Sequence, residues 1–142
     1  MPMPQEYFAA SRDFDAFMND AKAALGLQSH HQTYTAVQGV MAVFRRRPSV
    51  SDALRFANML PQVLRAIFVS DWDPAEPQRA FGPRDAMEAE VRDLRRHHNF
   101  APDAAIATVA GALRRHVDTA RFERILSTLP EEARAYWDLE EA

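Results

Sequence analysis

The chain has 142 residues, a length that buries about 68–70% of the unfolded surface and needs no metal or disulfide to hold its core. It contains no cysteine, which removes disulfides, thiolate nucleophiles, iron–sulfur clusters and cysteine-ligated zinc together. Seventeen basic against 20 acidic residues leave a net charge of −3, so no overall positive field draws the molecule to nucleic acid or anionic lipid, and such binding needs a local patch.

Residues 1–12 read as an N-terminal extension with a short separate turn or helix through Tyr7 and Phe8. No basic segment leads into an apolar run there, and nowhere do about 18 apolar residues follow one another, so a cytoplasmic protein is expected. Phe14, Phe17, Met18, Ala21 and Leu25 then recur at helical spacing and end at Gly26, which can adopt the left-handed conformation past a helix. A second stripe, Tyr34, Val37, Val40, Met41 and Phe44, runs into Arg45, Arg46 and Arg47 before Pro48 stops it. Ser49 followed by Asp52 reads as the start of a third helix, with Ala53, Phe56, Ala57 and Leu60 inward. Pro61 opens a fourth that buries Val63, Leu64, Ile67 and Phe68. From Asp71 to Gly82 the periodicity lapses around two prolines, which marks a linker.

After the linker the pattern restarts. A shift of 69 residues lays Leu60-Pro61 on Leu129-Pro130, Arg65 on Arg134, Ile67-Phe68 on Tyr136-Trp137, and Arg45-Arg46 on Arg114-Arg115. Upstream, Ala36, Val37, Val40 and Phe44 fall on Ala105, Ile106, Val109 and Leu113. The first helices align with one residue of slippage, placing Phe17, Ala21 and Ala24 on Met87, Val91 and Leu94. The expectation is an all-α chain of about eight helices: two tandem four-helix repeats, 13–70 and 83–142, joined by linker 71–82. Two copies are too few for a solenoid, so the halves should pack face to face in one compact unit.

These words resemble the domain-of-unknown-function family 2267, known from bacteria. Gly26-Leu27, Leu60-Pro61-Gln62-Val63-Leu64-Arg65, Phe68 and Trp72-Asp73-Pro74 carry the resemblance in the first half. Leu129-Pro130-Glu131-Glu132-Ala133-Arg134 with Trp137 carries it in the second. Ser70-Asp71 stands where a glycine commonly precedes the tryptophan, and Ala133 where the family word has leucine. The resemblance implies a duplicated helical fold and brings no established activity or cofactor.

Sixteen of the 17 basic residues are arginine, a bias that genome composition explains as readily as function. Arg65 and Arg134 are candidates for bidentate anion binding, against the plainer reading that each pairs with a neighbouring carboxylate. Arg45, Arg46 and Arg47, Arg95 and Arg96, and Arg114 and Arg115 with His116 could grip phosphates if they converged. They also lie at helix C-termini, where a cation meets the negative end of the dipole, worth about 0.3–1 kcal/mol. His30-His31 and His97-His98 occupy equivalent loops but lack the further ligands zinc needs. Asp71 and Asp73 flank Trp72, which reads as a plug of the linker against the core, with a ligand-stacking platform as the alternative. None of the six serines sits in a Gly-x-Ser-x-Gly elbow, and Gly26, Gly39, Gly82 and Gly111 form no phosphate-binding loop. Gly39 and Gly111, inside helices, are expected to permit close helix approach.

No catalytic, cofactor or metal residue is assigned. The leading expectation is a non-enzymatic adaptor or regulatory module that binds a protein partner or itself, with no cofactor and no membrane association. Arg45, Arg46, Arg65, Arg114, Arg115, Arg134 and Trp72 are the candidate contacts. The alternatives are a nucleic-acid-associated protein using its arginine-rich helix ends, a reading the net charge disfavours, and an enzyme of unrecognised type. The enzyme reading requires a pocket that gathers Arg65, Arg134, His97 or the linker aspartates.

Overall fold

The computed structural model describes residues 2–94 and 102–139. Among them nine helices and no strands occur: α1 Gln5–Phe8, α2 Ala10–Leu25, α3 His30–Arg45, α4 Val50–Met59, α5 Gln62–Val69, α6 Arg84–Leu94, α7 Ala105–Arg115, α8 Thr119–Ser127 and α9 Glu131–Tyr136. The additional helix is α1, and α2 starts at Ala10 rather than at residue 13. The first turn of α2 contributes no buried residue, so it left no mark in the apolar stripe, which begins further along.

Side-chain chemistry sets most helix limits. At the end of α2, Gly26 adopts φ 69° and the amides of Gly26 and Leu27 donate to Ala23 O and Lys22 O, closing a Schellman turn. Ser29, Ser49 and Asp118 each accept a hydrogen bond at 3.1 Å from the amide three residues on, starting α3, α4 and α8. Pro61 and Pro130 immediately precede α5 and α9.

The third helix occupies the middle of the molecule, with α2, α5, α6 and α7 against it, and α2 also packs on α7 while α4 packs on α8. Phe44 of α3 is fully buried and meets five rings, those of Phe56, Phe68, Phe81, Tyr136 and Trp137, at centroid distances of 4.8 to 6.4 Å. Across the same core the Tyr136 hydroxyl donates to Val40 O at 2.6 Å, and burial pushes its pKa well above the usual phenol value. Aromatic side chains bury large apolar areas in few rotamers, so rings from α3, α4, α5, α8 and α9 meeting here tie both ends of the chain into one core.

Several backbone and capping bonds recur between positions 69 apart. Ala53 N bonds Ser49 O as Phe122 N bonds Asp118 O, Leu60 N bonds Ala57 O as Leu129 N bonds Leu126 O, and Arg65 N bonds Pro61 O as Arg134 N bonds Pro130 O.

Gly111 does not mark a close helix approach. A β-carbon there would meet only the ends of side chains, Arg115 Nη1 at 3.3 Å and Leu139 Cδ2 at 3.5 Å. Gly111→Ala is therefore expected to raise stability by up to about 1 kcal/mol through helix propensity, with the Arg115 tip moving aside. Gly26→Ala should lower it by about 1 kcal/mol, because the left-handed backbone persists whatever the space around it. Thermal melts of the two variants should shift in opposite directions; shifts of the same sign would contradict this account.

Candidate functional site

The candidate arginines lie beside helix carbonyl ends. Arg45 Nη1 donates to Phe68 O at 2.8 Å and Ser70 O at 3.0 Å, at the end of α5. Arg114 Nε donates to Trp137 O at 3.0 Å at the end of α9, and its Nη1 meets Glu123 at 2.5 Å. Arg65 reaches Ala57 O, Asn58 O and Leu60 O at 3.1, 3.1 and 3.2 Å, at the end of α4. The last carbonyls of a helix have no intrahelical donor, and a guanidinium supplies several donors in a fixed fork. The expectation of cations at helix C-termini holds in kind, but Arg45 and Arg114 serve a neighbouring helix as well as standing at the end of their own. The expected carboxylate partner of Arg65 is replaced by these three carbonyls. Arg134 is exposed, and its side chain has no hydrogen bond or ion pair among the described residues.

Arg46 and Arg115 instead join helices from different halves. Glu90 of α6 accepts from Arg46 Nη1 at 2.7 Å, Arg47 Nη2 at 2.5 Å and Arg79 Nη1 at 3.1 Å. Asp20 of α2 accepts a bidentate pair from Arg115, Nε at 2.7 Å and Nη2 at 2.9 Å, and His116 Nε2 lies 2.9 Å away. The end of α3 thus clamps α6, and the end of α7 clamps α2. Hydrogen bonds from Arg115 hold the Asp20 carboxyl below its usual range. For Glu90 burial acts upward, but the bonds from Arg47 and Arg46 outweigh it and the carboxyl lies below its usual range too.

The linker is pinned to the end of α3. Arg79 N donates to Arg46 O at 3.0 Å and Gln78 Nε2 to Arg47 O at 2.6 Å. Trp72 is half-buried, edge-on to Phe68 at 6.4 Å with the Arg45 guanidinium 5.7 Å from its ring centre. Asp73 Oδ1 accepts from the Ala75 amide at 2.9 Å, a local turn rather than an acid–base pair with Asp71. His30 bonds Asn19 at 2.9 Å; Arg95, Arg96, His97 and His98 lie outside the described residues. No group of three or more His, Asp or Glu suited to a metal occurs among the described residues.

A cleft of about 680 Å³ opens between α6 and α9, with Phe81, Arg84, Met87, Glu88 and Tyr136 among its walls and neither Arg65 nor Arg134. Arg84, which the motifs did not single out, donates to Tyr136 O and Ala135 O at 2.9 Å and lies over the Tyr136 ring. Glu88 is 6% exposed; one oxygen accepts the Ile106 amide at 2.7 Å, and Oε2 is buried without a partner. The bond explains why the carboxylate is there. The seventh helix starts at Ala104, a left-handed alanine with no capping side chain, so Glu88 caps it from outside. Burial pushes the Glu88 carboxyl up, against the pull of the Ile106 amide, of Arg84, of the Ala105 amide and of Arg92. The signal available in the sequence was positional: Arg84, Met87, Glu88 and Val91 share the inward spacing of α6, and a carboxylate interrupts that stripe.

A family model described as "Uncharacterized conserved protein (DUF2267)" matches residues 14–136. The chain belongs to this family. No curated protein matches it. In this DUF2267 chain the recurrent words are structural: Gly26-Leu27 ends α2, Leu60-Pro61 and Leu129-Pro130 form the turns into α5 and α9, and Arg65 caps α4. No helix among the described residues is long and apolar enough to cross a membrane.

The carboxyl shifts give opposite pH signatures. Asp20 and Glu90, depressed in the fold, contribute stability that is fully present above their unfolded values of about 4 and is lost as pH falls through the folded ones. Glu88, raised in the fold, acts the other way: stability is lost as pH climbs from its unfolded value through its folded one. In thermal melts between pH 3 and 7, Glu90→Gln is expected to cost about 1–3 kcal/mol at neutral pH and to flatten the acid fall. Glu88→Gln should flatten the opposite slope. Melting curves for either variant that stay parallel to the parent at every pH would refute the assignment.

Proposed function

We propose that this DUF2267 chain is a duplicated helical unit acting as a non-enzymatic adaptor or regulatory module, which binds a protein partner or a second copy of itself. The carrying observation is α1. None of its residues is buried, yet it presents Tyr7 and Phe8, 47% and 66% exposed, beside Met3 at 53%. Large apolar side chains gathered on a surface mark interaction sites, and aromatics dominate interface energetics. Val50 and Leu54, one turn apart on α4, add a second exposed apolar pair.

Duplication into 13–70 and 83–142, joined by linker 71–82, is supported by paired bonds. Arg45 to Phe68 O matches Arg114 to Trp137 O at the same offset of 69, and the Arg46–Glu90 clamp matches Arg115–Asp20 with the one-residue slippage of the first helices. Packing of α2 on α7 is likewise mirrored by that of α6 on α3. Occupation of Arg45, Arg46, Arg65, Arg114 and Arg115 within the chain favours protein binding over a phosphate-binding reading. A cysteine-free chain suits a cytoplasmic setting.

Light scattering across concentration, with affinity capture from host lysate at low and high salt, tests the proposal. The expected result is a dimer or a discrete protein partner that survives high salt and is lost on Tyr7→Ser with Phe8→Ser, while stability stays within about 0.5 kcal/mol of the parent. A monomer that captures only nucleic acid, released as salt rises, would sink it.

A further inference from the structure

We propose that the cleft between α6 and α9 binds a small organic cation, an amine or guanidinium carried on an apolar body, with Glu88 as its anionic anchor. The inference stands on the cleft itself and is independent of any protein partner.

A carboxylate taken out of water is costly unless each oxygen is paired. Glu88 is more than nine-tenths buried, and capping α7 occupies one oxygen while leaving Oε2 with no donor. Capping alone does not require this residue, because Ser29, Ser49 and Asp118 cap their helices from adjacent positions at no such cost. Glu88 lines the cleft, so a donor seated there meets the acceptor once the carboxyl turns toward it, and a cationic one offsets the buried charge best.

The surroundings reject an anion. The described lining residues include the carboxylates Asp85, Glu132 and Asp138 besides Glu88. Their cationic neighbours are engaged, Arg84 with the carbonyls of Ala135 and Tyr136 and Arg92 with Asp103 at 3.6 Å, while of the carboxylates Asp138 lies 3.8 Å from Arg114. Phe81 and Met87 supply the apolar wall, and about 680 Å³ is ample for a small molecule.

The other half of the chain sharpens the point. In the register that lays Phe17 and Ala21 on Met87 and Val91, the places of Arg84 and Glu88 are taken by Phe14 and Met18. Met18 is buried there, Phe14 packs on the core, and α2 packs against α5. A small, largely apolar cleft lined by Phe14, Val63 and Leu64 at α2 is thus matched by a wider, charged one at α6, and Met18 shows that the position accepts an apolar side chain.

The test is a ¹⁵N–¹H correlation titration of the full chain with phenethylamine and with agmatine, and with 2-phenylethanol as the neutral match for the former. The expected result is a saturable shift centred on the amides of Glu88 and Ile106, with a dissociation constant below about 1 mM for at least one of the cations, and binding of phenethylamine at least about tenfold tighter than that of the alcohol. Glu88→Gln and Glu88→Met, each verified as folded by its own spectrum, should weaken that binding by about tenfold or more. Absence of a saturable shift up to about 10 mM of either cation, equal binding of phenethylamine and the alcohol, or undiminished binding in a folded variant would each overturn the proposal. The comparison of amine with alcohol decides even if both variants misfold.

Discussion

Helix carbonyl ends not covered by glycine shape this protein more than any other polar constraint. A helix leaves its last carbonyls without partners, and where they meet a neighbouring element rather than water they must be given donors. Gly26 alone among the described glycines solves this with a left-handed turn. Elsewhere arginine does it: Arg65 at α4, Arg45 at α5, and Arg84 with Arg114 at α9. A hydrogen bond to a charged donor contributes roughly 1.5–3 kcal/mol, and each of these also ties two elements together. Trp72 and Phe122 lie beneath Arg45 and Arg114 as apolar supports for the flat guanidinium faces.

The two carboxylate clamps apply the same chemistry between more distant elements. Asp20 of α2 and Glu90 of α6 are each gripped by consecutive residues at the end of another helix, Arg115 with His116 and Arg46 with Arg47. Their geometry specifies rotation and register where the apolar stripe permits some sliding. Arg47, itself buried, also bonds Val43 O at 2.6 Å, so its charge is placed as carefully as its partner's. Cations engaged in this way have donors already occupied within the fold, which composition alone does not reveal.

Under the proposed duplication, where the two repeats differ is more informative about function than where they agree. The agreement at α4, α5, α8 and α9 is a matter of turns and caps. At the first helix of each proposed repeat, Arg84 and Glu88 stand where Phe14 and Met18 do, which makes the wider cleft charged and leaves a buried oxygen without a donor. A stable fold has no need of that arrangement, and proteins commonly place such local inconsistencies at sites of function.

From the sequence alone the all-helical class, the core faces, the Schellman end at Gly26, the caps at Ser49 and Pro61, the linker and the family were legible, because each depends on residue type at fixed local spacing. The recurrence of Leu-Pro and Arg-Arg 69 residues apart was legible as well, since repeated words need no knowledge of contacts. Partners of the long side chains were not. An arginine reaches several ångströms from its backbone, so whether Arg45 meets a phosphate, a carboxylate or the end of α5 depends on which helix is brought alongside. The short helix α1 was legible only as a separate turn or helix through Tyr7 and Phe8, because a helix with nothing buried leaves no apolar period. Glu88 escaped because one charge in a stripe reads as solvated until a neighbouring element covers it. Local chemistry therefore determined the elements and their ends, while packing alone decided which charges were committed and which oxygen was left waiting, because burial and partnership belong to pairs of elements and not to either one.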